Sequence, residues 1–232
     1  QVEEQRLTIF VEICLSPFGL NSTQRNRSLA VRSRRMPRHR LVPHHGRVLH
    51  HHRRLRHRHM PRHGRVLPTA ASRAAAGPAF LERAWASVAD AGRAARVTVI
   101  LGTERVTDRG LQITACVIAP DGTIAGWQDK GQIDPSEESV YPALATERRV
   151  FTAGPLTFGI VICNDSNHPE LAGDIAARGA HALFVPTNNG LPPDKSYAEL
   201  VADTRRVDVA LAIQHGLWVI RADVAGCTSS LV

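Results

Sequence analysis

The stretch FGIVICNDSNHPE, Phe158 to Glu170, joins three local patterns that together indicate a layered α/β fold. A run of strand-forming apolar residues leads to Cys163, a polar turn follows, and Pro169 with Glu170 begins a helix. A cysteine at the carboxyl end of a buried strand lies at the sheet edge, where free backbone N–H groups can bind an oxyanion. The pattern therefore predicts a nucleophile for acyl transfer. An inert, buried cysteine is the ordinary alternative.

A nucleophilic cysteine needs a base or a cation beside it, because a thiol with a pKa of about 8.5 is mostly protonated at neutral pH. The histidines outside the arginine-rich part of the chain are His168, His181 and His215, and each is at the end of a predicted element. A carboxylate base assisted by a lysine is the other possibility. The chain has two lysines, Lys130 and Lys195, and Lys130 directly follows a predicted strand.

A carboxylate interrupts the apolar run LTIFVEI, Leu7 to Ile13, at Glu12. The run predicts a buried strand, and a buried carboxylate without a partner is costly. Glu12 therefore either points to solvent from a half-exposed strand or has a function. The residues of this run leave both interpretations open.

Helix and strand patterns alternate from about residue 70 to the end of the chain. Pro120-Asp121-Gly122 is a strong turn signal between two strand-like runs and predicts a hairpin. The predicted strands are Leu7–Ile13, Val97–Leu101, Gln112–Ala119, Thr123–Gln128, Phe158–Cys163, Ala182–Val185 and Leu217–Ala222, and the predicted helices are one through Leu81, Trp85 and Val88, then His168–Arg178 and Tyr197–His215. A hairpin among helix-linked strands predicts a mixed sheet covered by helices.

Composition narrows the class of protein. Hydrophobic residues make up 43% of the 232 and aromatic residues 5%, which suits a core of Val, Ile, Leu and Ala. No apolar run reaches eighteen residues, so we expect a soluble, cytoplasmic protein without membrane contact. The four cysteines, Cys14, Cys116, Cys163 and Cys227, lack metal-ligand spacing. We expect reduced thiols and neither metal nor organic cofactor.

The formal charge of +8 comes from one segment. Between Ile13 and Leu81 the chain has 15 arginines and no acidic residue, and residues 21–68 hold nine of its twelve histidines. PHHGRVL at Pro43–Leu49 returns as PRHGRVL at Pro61–Leu67. Because charge this dense and apolar content this low cannot offset the entropy of ordering the chain, we expect disorder.

Several origins and roles are open for residues 21–68. An insertion, or translation of a shifted frame in GC-rich coding sequence, explains the composition best. Binding of a polyanion through the arginines is the functional alternative, and His50, His51 and His52 could hold a divalent metal. The segment has no aromatic residues for base stacking, which argues against specific recognition of nucleic acid.

Three stretches, in order along the chain, resemble the motifs of the nitrilase, or carbon-nitrogen hydrolase, superfamily. They are IFVEICLSPFGL at Ile9–Leu20, DKGQIDPSEESVY at Asp129–Tyr141, and GIVICNDSNHPE at Gly159–Glu170. The resemblance continues almost unbroken from about Phe80 to Thr228. It implies an α/β fold, a nitrilase-like α-β-β-α sandwich with mixed sheets, and a homo-oligomer.

The resemblance also implies roles for individual residues. Glu12 would be the general base, Lys130 the catalytic lysine and Cys163 the nucleophile, with the backbone N–H of Asn164 binding the oxyanion. A supporting glutamate would be Glu137 or Glu138. The implied activity is hydrolysis of a non-peptide carbon-nitrogen bond in a small amide, carbamoyl compound or nitrile, with an amidase favoured over a nitrilase.

The chain departs from the family pattern in three places. Val11 stands where the family usually has proline. Only eleven residues precede Glu12, and few follow Gly226. Because of these short ends, we expect a hydrolase domain truncated at both ends. The predicted organisation is a strand with the Glu motif in residues 1–20, an Arg/His-rich insertion in 21–68 and the main hydrolase domain in 69–232. The alternatives to an active enzyme are a polyanion-binding protein on a decayed hydrolase scaffold and an inactive fragment.

Overall fold

Two five-stranded sheets stacked face to face form the centre of the molecule. The computed structural model describes residues 77–141, 145, 147–189, 195–224 and 228–232, together with the backbone of two strands at residues 8–13 and 29–32. Helices cover the outer face of each sheet. The arrangement is the predicted α-β-β-α sandwich with mixed sheets.

The first sheet has the strand order β2-β1-β3-β4-β5. Its strands are β1 (Thr8–Ile13), β2 (Leu29–Arg32), β3 (Thr98–Thr107), β4 (Gly110–Ile118) and β5 (Ile124–Asp129). β1 and β3 are parallel, and the other neighbours are antiparallel. The predicted turn at Pro120-Asp121-Gly122 joins β4 to β5, where Gly122 adopts a φ of 85° that favours glycine. This sheet therefore delivers Lys130 directly after its last strand.

The second sheet has the order β10-β9-β8-β7-β6. Its strands are β6 (Val150–Ala153), β7 (Leu156–Ile160), β8 (Ala182–Thr187), β9 (Trp218–Asp223) and β10 (Ser230–Leu231). β7, β8 and β9 run parallel, so their carboxyl ends share one edge. The chain reaches Cys163 just beyond β7 and Asn188 just beyond β8, and both therefore lie at this edge.

In the described part of the chain, the helices α1 (Pro78–Ala95), α2 (Pro169–Ala177) and α3 (Tyr197–His215) complete the layers. Proline at the first position starts α1 and α2, whereas Ser196 caps α3 by accepting from the backbone N–H of Glu199. Trp85 and Val88 of α1 pack on the first sheet, and α2 and α3 cover the second. No helix in the described part of the chain is both long and apolar enough to cross a membrane.

The core between the sheets is aliphatic and aromatic. It contains Ile100, Ala115 and Val117 from the first sheet and Phe158, Ile160, Phe184 and Ile220 from the second. The Phe158 ring stacks on Phe151 and meets Phe184 edge to face. Packing of this kind fixes the two sheets relative to each other, and with them the segments that follow β5 and β7.

The structure corrects several predicted elements. β3 continues to Thr107 and forms an unpredicted hairpin with β4, because Glu104 and Arg105 interrupt its apolar pattern without ending the strand. β6 and β7 form a second unpredicted hairpin around Gly154. The strand predicted to reach Cys163 ends at Ile160, and Cys163–Asn167 is a short 3-10 helix.

Within the Arg/His-rich segment the structure describes the strand β2, which pairs antiparallel with β1 through Leu29–Arg32. The apolar residues of this four-residue stretch favour a strand when a neighbouring strand edge is available for pairing. The remaining residues of the segment, His50, His51 and His52 included, lie outside the described part of the chain.

Candidate active site

Cys163 has an unusual backbone. It is the first residue of the 3-10 helix and has a φ of 50°, a left-handed conformation that costs a non-glycine residue energy and is concentrated at functional sites. The Ser166 hydroxyl donates to the carbonyl oxygen of Cys163 at 2.8 Å, and Asp165 Oδ2 accepts from the backbone N–H of Ile162 at 2.9 Å. These contacts hold the strained turn that presents the thiol.

Asp165 connects the cysteine turn to the segment that follows Lys130. Its Oδ1 accepts from the backbone N–H of Gly131 at 2.9 Å and of Gln132 at 2.6 Å, and the residue is fully buried. Burial raises the pKa of Asp165, opposed by the hydrogen bond from Ile162 and by the charge of Arg148. The role of Asp165 was not predicted from the sequence. The available signal was an acidic residue two positions after the predicted nucleophile, just beyond an apolar strand.

Lys130 is buried, with 1% of its surface exposed, and its charge lowers the pKa of the Cys163 thiol. Its Nζ is 2.5 Å from Oε2 of Glu137, and the same oxygen accepts from the backbone N–H of Asp134 at 3.0 Å. Glu138 is exposed. Of the two glutamates considered from sequence, Glu137 is the one that contacts Lys130.

The environment of the Cys163 sulfur raises the pKa of its thiol. Burial is the largest cause and the charge of Glu137 acts in the same direction, whereas Lys130, a hydrogen bond from the backbone of Asn188 and the charge of Arg221 lower the pKa. Burial prevails over the cations. A thiol in this state needs a base to become a nucleophile at neutral pH.

A second buried cation, Arg221 of β9, lies behind the cysteine turn. Its guanidinium binds the Asp208 carboxylate through Nε at 3.1 and 3.0 Å and through Nη2 at 2.6 Å. Nη1 donates to Thr187 Oγ1 at 2.8 Å and Nη2 also donates to Ser166 Oγ at 2.9 Å. Ser166 in turn donates to the Cys163 carbonyl oxygen, so this hydrogen-bond network stabilises the cysteine turn.

The loop after β8 forms another wall of the site. Asn189 Oδ1 is 3.7 Å from Cys163 Sγ, and Asn189 Nδ2 donates to Thr228 Oγ1 at 3.0 Å. Asn188 and Asn189 of this loop are described, and residues 190–194 lie outside the described part of the chain. Which polar side chain of this loop would approach the sulfur was not visible in the sequence.

The remaining predicted site residues are placed as follows. Glu12 is the fifth residue of β1, in register with Leu101 of β3, and its side chain lies outside what the structure describes. The backbone N–H of Asn164 belongs to the first turn of the 3-10 helix, where N–H groups lack partners within the helix. The side chain of Asn164 donates weakly to the carbonyl oxygens of Gln132 and Ile133, both at 3.4 Å.

Two of the three histidines considered as thiol partners, His168 and His181, contact other groups. His168 pairs with Glu170 at 3.4 Å, and His181 Nδ1 accepts from the backbone N–H of Thr157 at 3.3 Å. His215 lies at the end of α3 against Gly173. Among the described cations, Lys130 has the largest effect on the pKa of the Cys163 thiol, and it is paired with Glu137.

The family model for carbon-nitrogen hydrolases matches residues 66–232, which include Lys130 after β5 and Cys163 in the 3-10 helix. The chain belongs to the carbon-nitrogen hydrolase family. Glu12 lies outside the matched residues of this family, so its assignment rests on the resemblance of its own motif and on the place of β1 in the sheet.

Solved structures share the carbon-nitrogen hydrolase fold with this chain. A carbon-nitrogen hydrolase from Helicobacter pylori G27 is 22% identical with a TM-score of 0.57, and covers 63% of this chain and 52% of its own length. A mutant amidase from Nesterenkonia sp. AN1, which carries acrylamide added to its active-site cysteine, is 20% identical with a TM-score of 0.54. That match covers 63% of this chain and 56% of the amidase.

A curated relative adds a partial match for this carbon-nitrogen hydrolase. A glutamine-dependent NAD(+) synthetase from Rhodobacter capsulatus is 36% identical over 73 residues, which are 32% of this chain and 12% of the relative. The chain spans about half the length of the solved structures above and a small part of the synthetase. These relatives' activities are properties of those proteins.

Proposed function

We propose that this chain hydrolyses the carbon-nitrogen bond of a small amide through an acyl-enzyme on Cys163. The observation that carries the proposal is the buried Lys130, paired with the half-buried Glu137 and acting on the thiol of a strained cysteine, with Asp165 joining the two segments. Positive charge held next to a thiol suits the negative oxygen that develops when a carbonyl is attacked. Membership of the carbon-nitrogen hydrolase family supports the reaction class.

Acylation proceeds in two bond changes. Glu12 takes the thiol proton, and the sulfur of Cys163 attacks the amide carbon to form a C–S bond, moving an electron pair onto the oxygen. Lys130 and the backbone N–H of Asn164 stabilise that oxyanion. Glu12 then returns the proton to the nitrogen, the C–N bond breaks, and ammonia or an amine leaves.

Deacylation repeats the pattern with water. Glu12 removes a proton from water, the resulting oxygen attacks the thioester carbon, and the C–S bond breaks as the carbonyl re-forms. The proton returns to sulfur and the carboxylic acid leaves. A carboxylate suits both steps, since it can accept a proton and return it.

Glu137 supports Lys130 in this proposal. Its Oε2 contacts the ammonium while also accepting from the backbone of Asp134, so the lysine is held at one point. An ammonium has three N–H donors, which leaves two for substrate in the part of the chain that the structure describes. Glu138, exposed at the surface, has no such part in the mechanism.

We favour an amide over a nitrile as substrate, in a cytoplasmic homo-oligomer. Similarity in fold to an amidase supports the amide, and the partial match to a glutamine-dependent synthetase points to the carboxamide of glutamine as one amide to test. Neither nucleic acid nor a membrane takes part in this reaction.

Ammonia release from a panel of acetamide, butyramide, glutamine, a carbamoyl compound and the matching nitriles tests the proposal. We expect turnover of at least one amide, and a loss of about 10²- to 10⁴-fold in Glu12→Gln, because the general base is removed. A urea unfolding transition like that of the unmodified chain checks that the variant is folded. Turnover in Glu12→Gln equal to that of the unmodified chain would show that another group is the base.

A further inference from the structure

Asn189 places a carbonyl-type oxygen beside the nucleophile. Its Oδ1 is 3.7 Å from Cys163 Sγ, and its backbone N–H donates to Asp223 Oδ1 at 3.1 Å. The residue directly follows Asn188, whose backbone also hydrogen-bonds the thiol. The oxygen of Asn189 is therefore held at the position where the atoms attached to a reacting carbon must lie.

A chain of hydrogen bonds fixes which end of the Asn189 amide faces the sulfur. The Thr228 hydroxyl donates to Asp223 Oδ2 at 3.0 Å, and a carboxylate can only accept. Because its single proton is engaged there, Thr228 Oγ1 acts as the acceptor for Asn189 Nδ2 at 3.0 Å. Thr228 and Asp223 are both buried, so the direction of these hydrogen bonds is protected from exchange with water. The donor end of Asn189 is turned away from Cys163 and the acceptor end towards it.

A hydrogen-bond acceptor next to the nucleophile favours substrates that carry an N–H donor on the reacting carbon over substrates that carry none. The nitrogen of a primary amide has two N–H groups, and one can donate to Asn189 Oδ1 while the carbonyl oxygen faces Lys130. An ester of the same acid and a nitrile have no N–H at this position. A buried or half-buried acceptor left without a donor is unfavourable, so such substrates lose an interaction that the amide makes.

We propose that Asn189 is a specificity-determining residue that accepts a hydrogen bond from the amide nitrogen of the substrate, and that it selects primary carboxamides over esters and nitriles of the same acyl group. The inference rests on the proposed acyl transfer at Cys163. Thr228 acts through Asn189 as a positioning residue.

The test compares kcat/KM for a primary amide and the methyl ester of the same acid, both measured on one preparation of each variant. In Asn189→Ala we expect a loss of about 10- to 100-fold for the amide and less than about threefold for the ester. The ratio is unaffected by any fraction of the protein that fails to fold, because both substrates see the same active molecules.

Thr228 supplies the matched pair of variants. Thr228→Val keeps the shape but removes the hydroxyl that holds Nδ2, and we expect part of the amide preference to be lost. Thr228→Ser keeps the hydroxyl, and the preference should return towards that of the unmodified chain.

The outcomes separate the two proposals. Equal losses for amide and ester in Asn189→Ala, or no loss for either, would overturn the role of Asn189 while leaving acyl transfer intact. Absence of any turnover and any Cys163 adduct in the unmodified chain, with both substrates, would overturn the proposed function and this inference with it.

Discussion

Two buried cations act on Cys163, and they are held in very different ways. Arg221 has 3% of its side chain exposed and donates to Asp208, Thr187 and Ser166. Lys130 is equally buried, yet within the described residues its ammonium contacts Glu137 alone. Both charges lower the pKa of the thiol, and Lys130 has the larger effect.

This difference indicates a structural role for Arg221 and a catalytic role for Lys130. Arginine offers a planar set of donors that can tie several elements together, here β9, α3, β8 and the cysteine turn. Lysine is a compact charge whose remaining donors can turn towards a developing oxyanion. Loss of Arg221 should therefore act mainly on folding, whereas loss of Lys130 should act mainly on the reaction.

The largest expected effect is on stability. Arg221→Met leaves the fully buried Asp208 carboxylate without its counter-ion, which should cost about 3–5 kcal/mol of folding free energy. Urea unfolding measures the loss. The double variant Arg221→Met/Asp208→Leu should recover part of it, since no unpaired charge remains. A double variant as unstable as the sum of its single changes would show that the pair is not coupled.

Lys130→Gln should leave folding close to unchanged by comparison and lower kcat by about 10²- to 10³-fold, because a donor to the oxyanion is lost. Lys195→Gln is the matched control, since Lys195 pairs with Asp203 at the surface. Steady-state ammonia release, with urea unfolding beside it, measures both quantities. Similar activity in the two lysine variants would contradict the role given to Lys130.

The smallest expected effect is on thiol ionisation. Because burial raises the pKa of Cys163, the rate of alkylation by iodoacetamide should rise with pH to a midpoint above the ordinary value of about 8.5. Glu137→Gln removes a charge that raises this pKa, so the midpoint should fall and alkylation at neutral pH should become faster. Turnover should nevertheless decrease, since Lys130 loses its anchor.

Glu138→Gln is the control for that experiment, because Glu138 is exposed and we expect neither quantity to change. Cys116 does not interfere, since burial raises its pKa to about 12. A midpoint that moves upward in Glu137→Gln would mean that Glu137 acts on Cys163 by some route other than its charge.

The fold and part of the site could be predicted from local patterns. Strand periodicity, the Asp-Gly turn and helix-starting prolines predicted a mixed sheet covered by helices, and the resemblance to carbon-nitrogen hydrolases implied the sandwich. The motifs of that resemblance singled out Lys130 and Cys163, and the charge of Lys130 acts on the Cys163 thiol. Spacing alone could not separate Glu137 from Glu138. Adjacent residues of a turn point in different directions, and the sequence does not show which of the two directions leads to Lys130. Only the three-dimensional path of the turn shows that Glu137 faces the lysine.

The supporting residues could not be predicted, because their partners are distant along the chain. Asp165 accepts from Gly131, 34 positions away, and Arg221 reaches Ser166, 55 positions away. A charged residue in a strand or helix is ordinarily expected at the surface. Its burial depends on a partner that local pattern does not specify, and the same holds for Asn189 and Thr228.

Mass spectrometry of the protein during incubation with a small primary amide tests the central claim most directly. We predict an added mass equal to the acyl group, located on Cys163 by peptide mapping and absent from Cys163→Ala. Hydrolysis that persists in Cys163→Ala, or an adduct located on a different residue, would contradict a reaction that proceeds through this cysteine.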